Sequence, residues 1–176
     1  MSMRVAITGT PGTGKTTATE RLDHEVVHLN DVIRADGLDT GTDESRESLV
    51  ADMDAVAAAL DEREKDEIEL VESHLAHRLP ADRVVVLRCH PDELGERLAA
   101  RGESERTVEE NRESEALDVI LAEAVESHGL DSVYEIDATE RTPEETAAEI
   151  ERVVAGEREP SAGTVSFLDA VSVERR

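Results

Sequence analysis

The stretch Gly9-Thr10-Pro11-Gly12-Thr13-Gly14-Lys15-Thr16 constrains this chain more than any other. It follows a short apolar run, RVAIT at 4–8, and opens a helical pattern over 15–22. The string fits G-x-x-x-x-G-K-[ST], and the strand–turn–helix setting is the one that the pattern needs. Glycines let successive backbone N–H groups turn inward around an anion, and the helix that follows adds the positive end of its dipole. Lys15 then reaches the β- and γ-phosphates of a nucleoside triphosphate, and the Thr16 hydroxyl holds Mg²⁺. Gly12, Gly14 and Thr17 complete the cradle. One of the chain's two lysines stands here, the other being Lys65.

Further along, 26–29 reads as a second buried strand, and the polar, glycine-containing stretch 36–47 as a mobile loop. Leu49, Met53, Val56 and Leu60 recur at helical spacing. Residues 68–72 and 84–88 are strands three and four, and Pro91 opens a helix carrying Leu94 and Leu98. The longest helical pattern runs over 107–128, with Leu117, Ile120, Leu121, Ala124, Val125 and His128 on one stripe and Gly129 as its cap. Residues 133–136 form a fifth strand. Thr142, Pro143 and Glu145 make a capping box for a last helix bearing Ile150 and Val153. This alternation predicts an α/β P-loop domain over 1–156, a three-layer α/β/α arrangement around five parallel strands. Past Gly156 the pattern lapses. Val165, Phe167, Leu168 and Val171 either dock the 157–176 tail or leave it loose.

Charge narrows the class. The 176 residues include 43 acidic and 19 Lys plus Arg side chains, a net charge of −24 spread along the whole chain. Molar salt shortens the Debye length to about 3 Å and screens such self-repulsion, so the composition points to a halophile's protein. The same excess repels phosphate backbones, and no direct sequence-specific nucleic-acid binding is expected. No apolar run reaches the roughly 18 residues of a membrane span. A strand pattern by Val5 leaves no room for a signal peptide, and Cys89 is alone, so a cytoplasmic enzyme is expected. A core with only Tyr134 and Phe167 as aromatics must be built from Val, Leu, Ile and Ala. An adenine ring near the phosphate loop would therefore rest on a guanidinium plane such as Arg101, with aliphatic contacts.

A small GTPase needs a base-reading Asn-Lys-x-Asp element, and Glu64 precedes Lys65 instead. Transfer of a phosphoryl group to a small acceptor remains, and it requires guanidinium groups around the phosphate oxygens. Arg34, Arg88 and Arg101 stand at element ends suited to that task. The motifs GTPGTGKTT (9–17), LNDVIR (29–34), VESH (71–74), VVVLR (84–88) and ERLAARGESERTVEENRESE (96–115) together resemble the adenylate kinase isoenzyme 6 family. That family consists of small nucleotide kinases also linked to maturation of the small ribosomal subunit.

The resemblance implies strand order 2-3-1-4-5. It also implies an acceptor segment at about 29–52, where Asp31 and Arg34 grip AMP, and a short lid at about 101–111, where Arg101 closes on ATP. Glu72 takes the acidic position that organises metal or water, with one methylene more than the family's Asp, and His74 is the nearby family histidine. Arg88 is a further acceptor contact or a partner for a surface acid. His74 and His77 stand three apart, but no third ligand makes them a zinc site.

The expected reaction is transfer of the ATP γ-phosphoryl group to AMP or another nucleoside monophosphate, with Mg²⁺ and accompanying ATPase activity. The alternative is an ATPase-driven assembly factor acting on a small-subunit platform ribosomal protein, for which an acidic surface suits a basic partner. A metabolite kinase is the remaining reading, because the phosphate loop alone does not choose the acceptor.

Overall fold

The computed structural model describes residues 2–43, 48–63 and 66–170. Glu64, Lys65 and Val171 lie outside them. In chain order the strands are β1 (Met3–Thr8), β2 (Val26–His28), β3 (Asp39–Asp43), β4 (Ser48–Ala51), β5 (Ile68–Glu72), β6 (Arg83–Arg88) and β7 (Val133–Asp137). The α-helices are α1 (Lys15–Thr19), α2 (Leu29–Ala35), α3 (Met53–Asp61), α4 (Pro91–Ala100), α5 (Glu105–Ala116), α6 (Val119–His128) and α7 (Pro143–Val154).

Five strands form one parallel sheet in the order β2-β5-β1-β6-β7. Counting only those five along the chain, this is the expected 2-3-1-4-5. Because helices cover both faces, the inner strands read as nearly unbroken apolar runs, IELVE and RVVVLR among them. Successive side chains alternate between faces. Val5, Ile7, Leu70, Val85 and Ile136 pack with Ile150 and Val153 of α7. Ala6, Val84, Val86 and Val133 pack with Leu121 and Ala124 of α6. The apolar stripe of α2, Leu29 and Ile33, meets Val56 and Leu60 of α3 over Val71.

Several local expectations are corrected. The stretch 36–47 is not a plain loop, since β3 pairs antiparallel with β4 from Asp39–Asp43 to Ser48–Ala51; residues 44–47 lie outside the described set. Leu49 belongs to β4, not to the helix that follows. Asp52 ends that strand by accepting hydrogen bonds from the Asp54 and Ala55 N–H groups, and so caps α3. Leu29 starts α2, a helix that the short apolar run concealed. The pattern over 107–128 is two helices. The break falls at Asp118, a non-glycine residue at φ 56°, whose carboxylate accepts from Arg88 Nη2 at 2.5 Å. A side chain 30 positions away thus breaks a helix that local periodicity would continue, and Leu117 leaves the stripe to stand 48% exposed. The capping box holds, with the Glu145 N–H donating to Thr142 Oγ1 at 3.1 Å. The tail is docked as far as Phe167, which is 9% exposed.

Candidate active site

The site forms at the carboxyl ends of β1 and β5, the edge where open α/β sheets place ligands. β1 delivers the chain into the phosphate loop. Gly9, at φ 148°, lies so close to β6 that a Cβ there would stand 2.7 Å from the Leu87 carbonyl oxygen. Gly14, at φ 94°, makes the left-handed turn into α1. The Lys15 ammonium folds back over the loop and donates to the carbonyls of Gly9 (2.8 Å) and Thr10 (3.1 Å). Burial pushes its pKa down to about 8, so the cation is poorly hydrated and stays protonated near neutral pH.

A cavity of about 410 Å³ opens beside the loop. It brings together Gly12, Gly14, Lys15, Thr16 and Thr17 with Glu72, His74 and Arg101, residues drawn from three separate parts of the sequence. Glu72 ends β5, nearly buried, with one carboxylate oxygen 2.9 Å from His28 Nδ1. His74 is driven down to about 4 by burial and by the adjacent Lys15, so its ring is neutral at working pH. Arg101 is the exposed residue that ends α4. Two lining residues escaped the sequence reading. Pro11 belongs to the loop itself. Asn30 reaches the cavity from α2 and accepts from Ser73 Oγ at 2.8 Å; only its place within LNDVIR could have signalled it.

Other expected residues lie elsewhere. Asp31 and Arg34 are exposed on α2 and do not line the cavity. Arg88 is 1% exposed, and all three guanidinium nitrogens are engaged by protein acceptors: Nε by Glu115, Nη1 by Glu135, and Nη2 by Asp118 and the Glu115 carbonyl. With four of its five N–H donors committed to protein acceptors and its side chain buried, this guanidinium is held inside the fold and away from a substrate, which replaces the acceptor-gripping expectation with a structural one. His77 is likewise internal, with Nδ1 2.8 Å from Thr8 Oγ1 and Nε2 2.7 Å from Glu123. Among the described residues no group of three or more His, Cys, Asp or Glu side chains could hold a metal ion. Burial raises the Cys89 thiol to about 12, so it is a packed side chain and not a nucleophile.

The donor set suits a magnesium ion carried by phosphates. Mg²⁺ takes few protein oxygens and keeps waters and phosphate oxygens as its other ligands. Thr16 and Glu72, which both line this cavity, offer such oxygens. A second cavity of about 290 Å³ is lined by Gly14 and Thr17 of the loop and helix start together with Arg97, Ala138, Arg141 and Pro143.

Residues 5–118 match the family described as "AAA domain". A protein of Natronomonas pharaonis named "Putative adenylate kinase" is 60% identical over 169 residues, covering 95% of this chain and 99% of that protein. One from Halobacterium salinarum with the same name is 56% identical, covering 96% and 100%. Another from Methanosarcina acetivorans is 42% identical, again over 96% and 100%. Among solved structures, shikimate kinase from Acinetobacter baumannii superimposes with a TM-score of 0.60 over 90% of this chain and 96% of that one. At 14% identity, that likeness concerns the fold.

Proposed function

The chain belongs to the archaeal adenylate kinase family of these relatives, and from that premise we propose that it transfers the γ-phosphoryl group of ATP to AMP. The observation that carries the proposal is the single cavity holding Lys15, Thr16, Glu72, His74 and Arg101. Lys15 leaves the Gly9 and Thr10 carbonyls for the β- and γ-phosphate oxygens, where a desolvated cation stabilises developing charge best. Thr16 and Glu72 would hold Mg²⁺, which when bound would supply charge neutralisation at the phosphates. Neutral His74 accepts or donates a hydrogen bond beside the γ-phosphate without competing as a cation. Arg101 closes from the segment at about 101–111, and the segment at about 29–52 folds over AMP, excluding water. The cavity at Ala138, Arg141 and Pro143 takes the donor base against guanidinium and aliphatic surfaces; the Arg141 Nη1 atom is buried with no hydrogen-bond partner among the described residues.

Asp31 and Arg34 grip the acceptor once that segment closes. Arg34→Ala is therefore expected to raise the KM for AMP by about tenfold to a hundredfold, the worth of one or two charge-assisted hydrogen bonds. The KM for ATP should stay unchanged, and the exposed position of Arg34 leaves the fold intact. Steady-state kinetics with each nucleotide varied in turn checks this. Equal changes in both constants would remove Arg34 from the acceptor site.

A second reading is an ATPase that drives late maturation of the small ribosomal subunit by acting on a basic ribosomal protein. The charge of −24 supports it through complementarity with such a partner.

A further inference from the structure

Beyond α7 the chain turns back along β7, the edge strand of the sheet. The Ser161 N–H donates to the Val133 carbonyl (3.0 Å), the Glu135 N–H donates to Ser161 Oγ (3.0 Å), and Arg158 Nη2 donates to the Glu135 carbonyl (2.8 Å). Those contacts cover an edge that would otherwise be open. The side chain of Glu135 does something else. It is a carboxylate within an apolar strand, 1% exposed, and it faces both ways. Oε1 accepts from the N–H groups of Gly163 and Thr164, the latter at 2.9 Å, while Oε2 accepts from Arg88 Nη1 at 2.8 Å.

Arg88 carries the connection inward. Its Nε donates to Glu115 Oε1 at 3.0 Å; the other oxygen of Glu115 accepts from the Cys89 N–H at 3.0 Å. Thr10 Oγ1, in the phosphate loop, lies 3.4 Å from Glu115 Oε1. Phe167 seals the assembly, its ring 5.3 Å from the Arg88 guanidinium carbon and edge-on to His90. Two buried ion pairs thus join the tail to the loop that cradles phosphate.

The charge balance explains why the tail matters. Glu115, Glu135 and Asp118 surround one guanidinium, so negative charge exceeds positive beside an anion site. Backbone N–H groups from 163 and 164 take up part of Glu135, leaving Arg88 to neutralise Glu115. Without them Arg88 is shared with an unsatisfied Glu135. Glu115 is then less compensated, and Lys15 is the nearby cation that it would attract in competition with a triphosphate.

We propose that segment 158–167 is a strap that positions the phosphate loop, with Arg88 and Glu115 as positioning residues, so that releasing it weakens nucleoside triphosphate binding. The inference rests on triphosphate binding at the loop and not on the identity of the acceptor.

The test measures MgATP affinity by calorimetry, without AMP, on the full-length chain in molar KCl. Phe167→Ala and the milder Ser161→Ala are compared with the parent, and hydrogen exchange at 163 and 164 reports release. Faster exchange with affinity lowered about tenfold, the usual scale of coupling between sites, is expected. In a Glu115→Gln background the same strap substitutions should change affinity less than twofold, a loss of effect that general destabilisation would not produce. A folded variant with exchange accelerated at 163 and 164 but parental affinity would overturn the proposal, as would an equal affinity loss in the Glu115→Gln background. If AMP later proves not to be the acceptor, these outcomes stand unchanged.

Discussion

Replacing Lys15 by alanine is expected to lower turnover by about 10²–10³-fold, the typical loss when one preorganised donor to developing charge is removed. The size of the effect follows from the burial of Lys15. Lys15 is 8% exposed, and its ammonium donates to the Gly9 and Thr10 carbonyls. In such surroundings a charge interaction is worth several times its value in water. Burial already holds the pKa down to about 8, which marks the desolvation cost that a triphosphate would repay. For the same reason the substitution should not destabilise the fold, since it removes a strained cation and no apolar contact of the core. The loss should appear in kcat as well as in kcat/KM, with circular dichroism unchanged. A rise in KM alone would mean that Lys15 binds ground state and transition state equally.

Arg88→Leu is expected to cost about 3–5 kcal/mol of stability, because it strands the buried carboxylates of Glu115 and Glu135, both of which Arg88 holds in direct ion pairs. For a chain of this size that corresponds to a fall of about 6–20 °C in thermal midpoint. Arg88→Lys should recover little of it. Three nitrogens in a planar fork meet Glu115, Glu135 and Asp118 at once, and a single ammonium cannot. Thermal unfolding at fixed salt measures both variants. A loss below about 1 kcal/mol, the range of exposed ion pairs, would contradict the assignment of Arg88 as the counter-charge of this cluster.

What was legible in the sequence was whatever local chemistry decides. The phosphate loop needs its glycines, lysine and threonine in register. Strands buried on both faces announce themselves as runs such as VVVL in β6, and Thr142 with Glu145 marks a helix start without outside help. The errors fall where a distant partner decides. Asp118 ends a helix because Arg88 holds its carboxylate. β3 interleaves Asp39, Gly41 and Asp43, residues depleted in strands, with its threonines, and β4 is only four residues long, so the pair has the local look of a loop. Arg88 stood at a strand end that suits a ligand contact, but Glu115 and Glu135, 27 and 47 positions on, claim it. One signal was available: Glu135 interrupts the apolar run VYEID, and a carboxylate at a core position requires a buried cation. Phe167, one of two aromatic residues, likewise hinted that the tail packs. In the site, Lys15, Thr16, Glu72, His74 and Arg101 were identified from motif and resemblance, and they share one cavity. His28 and Asn30 were missed because their roles lie in contacts to Glu72 and Ser73 across the sheet edge.

The central claim is that this cavity passes a phosphoryl group from ATP to AMP. The most direct measurement is ADP formation from MgATP in molar KCl, with and without AMP, following both nucleotides. Turnover is expected to depend on AMP and to yield two ADP for each pair of ATP and AMP consumed. ADP and inorganic phosphate formed at the same rate without AMP would contradict it and make the ATP-hydrolysing assembly role the primary one.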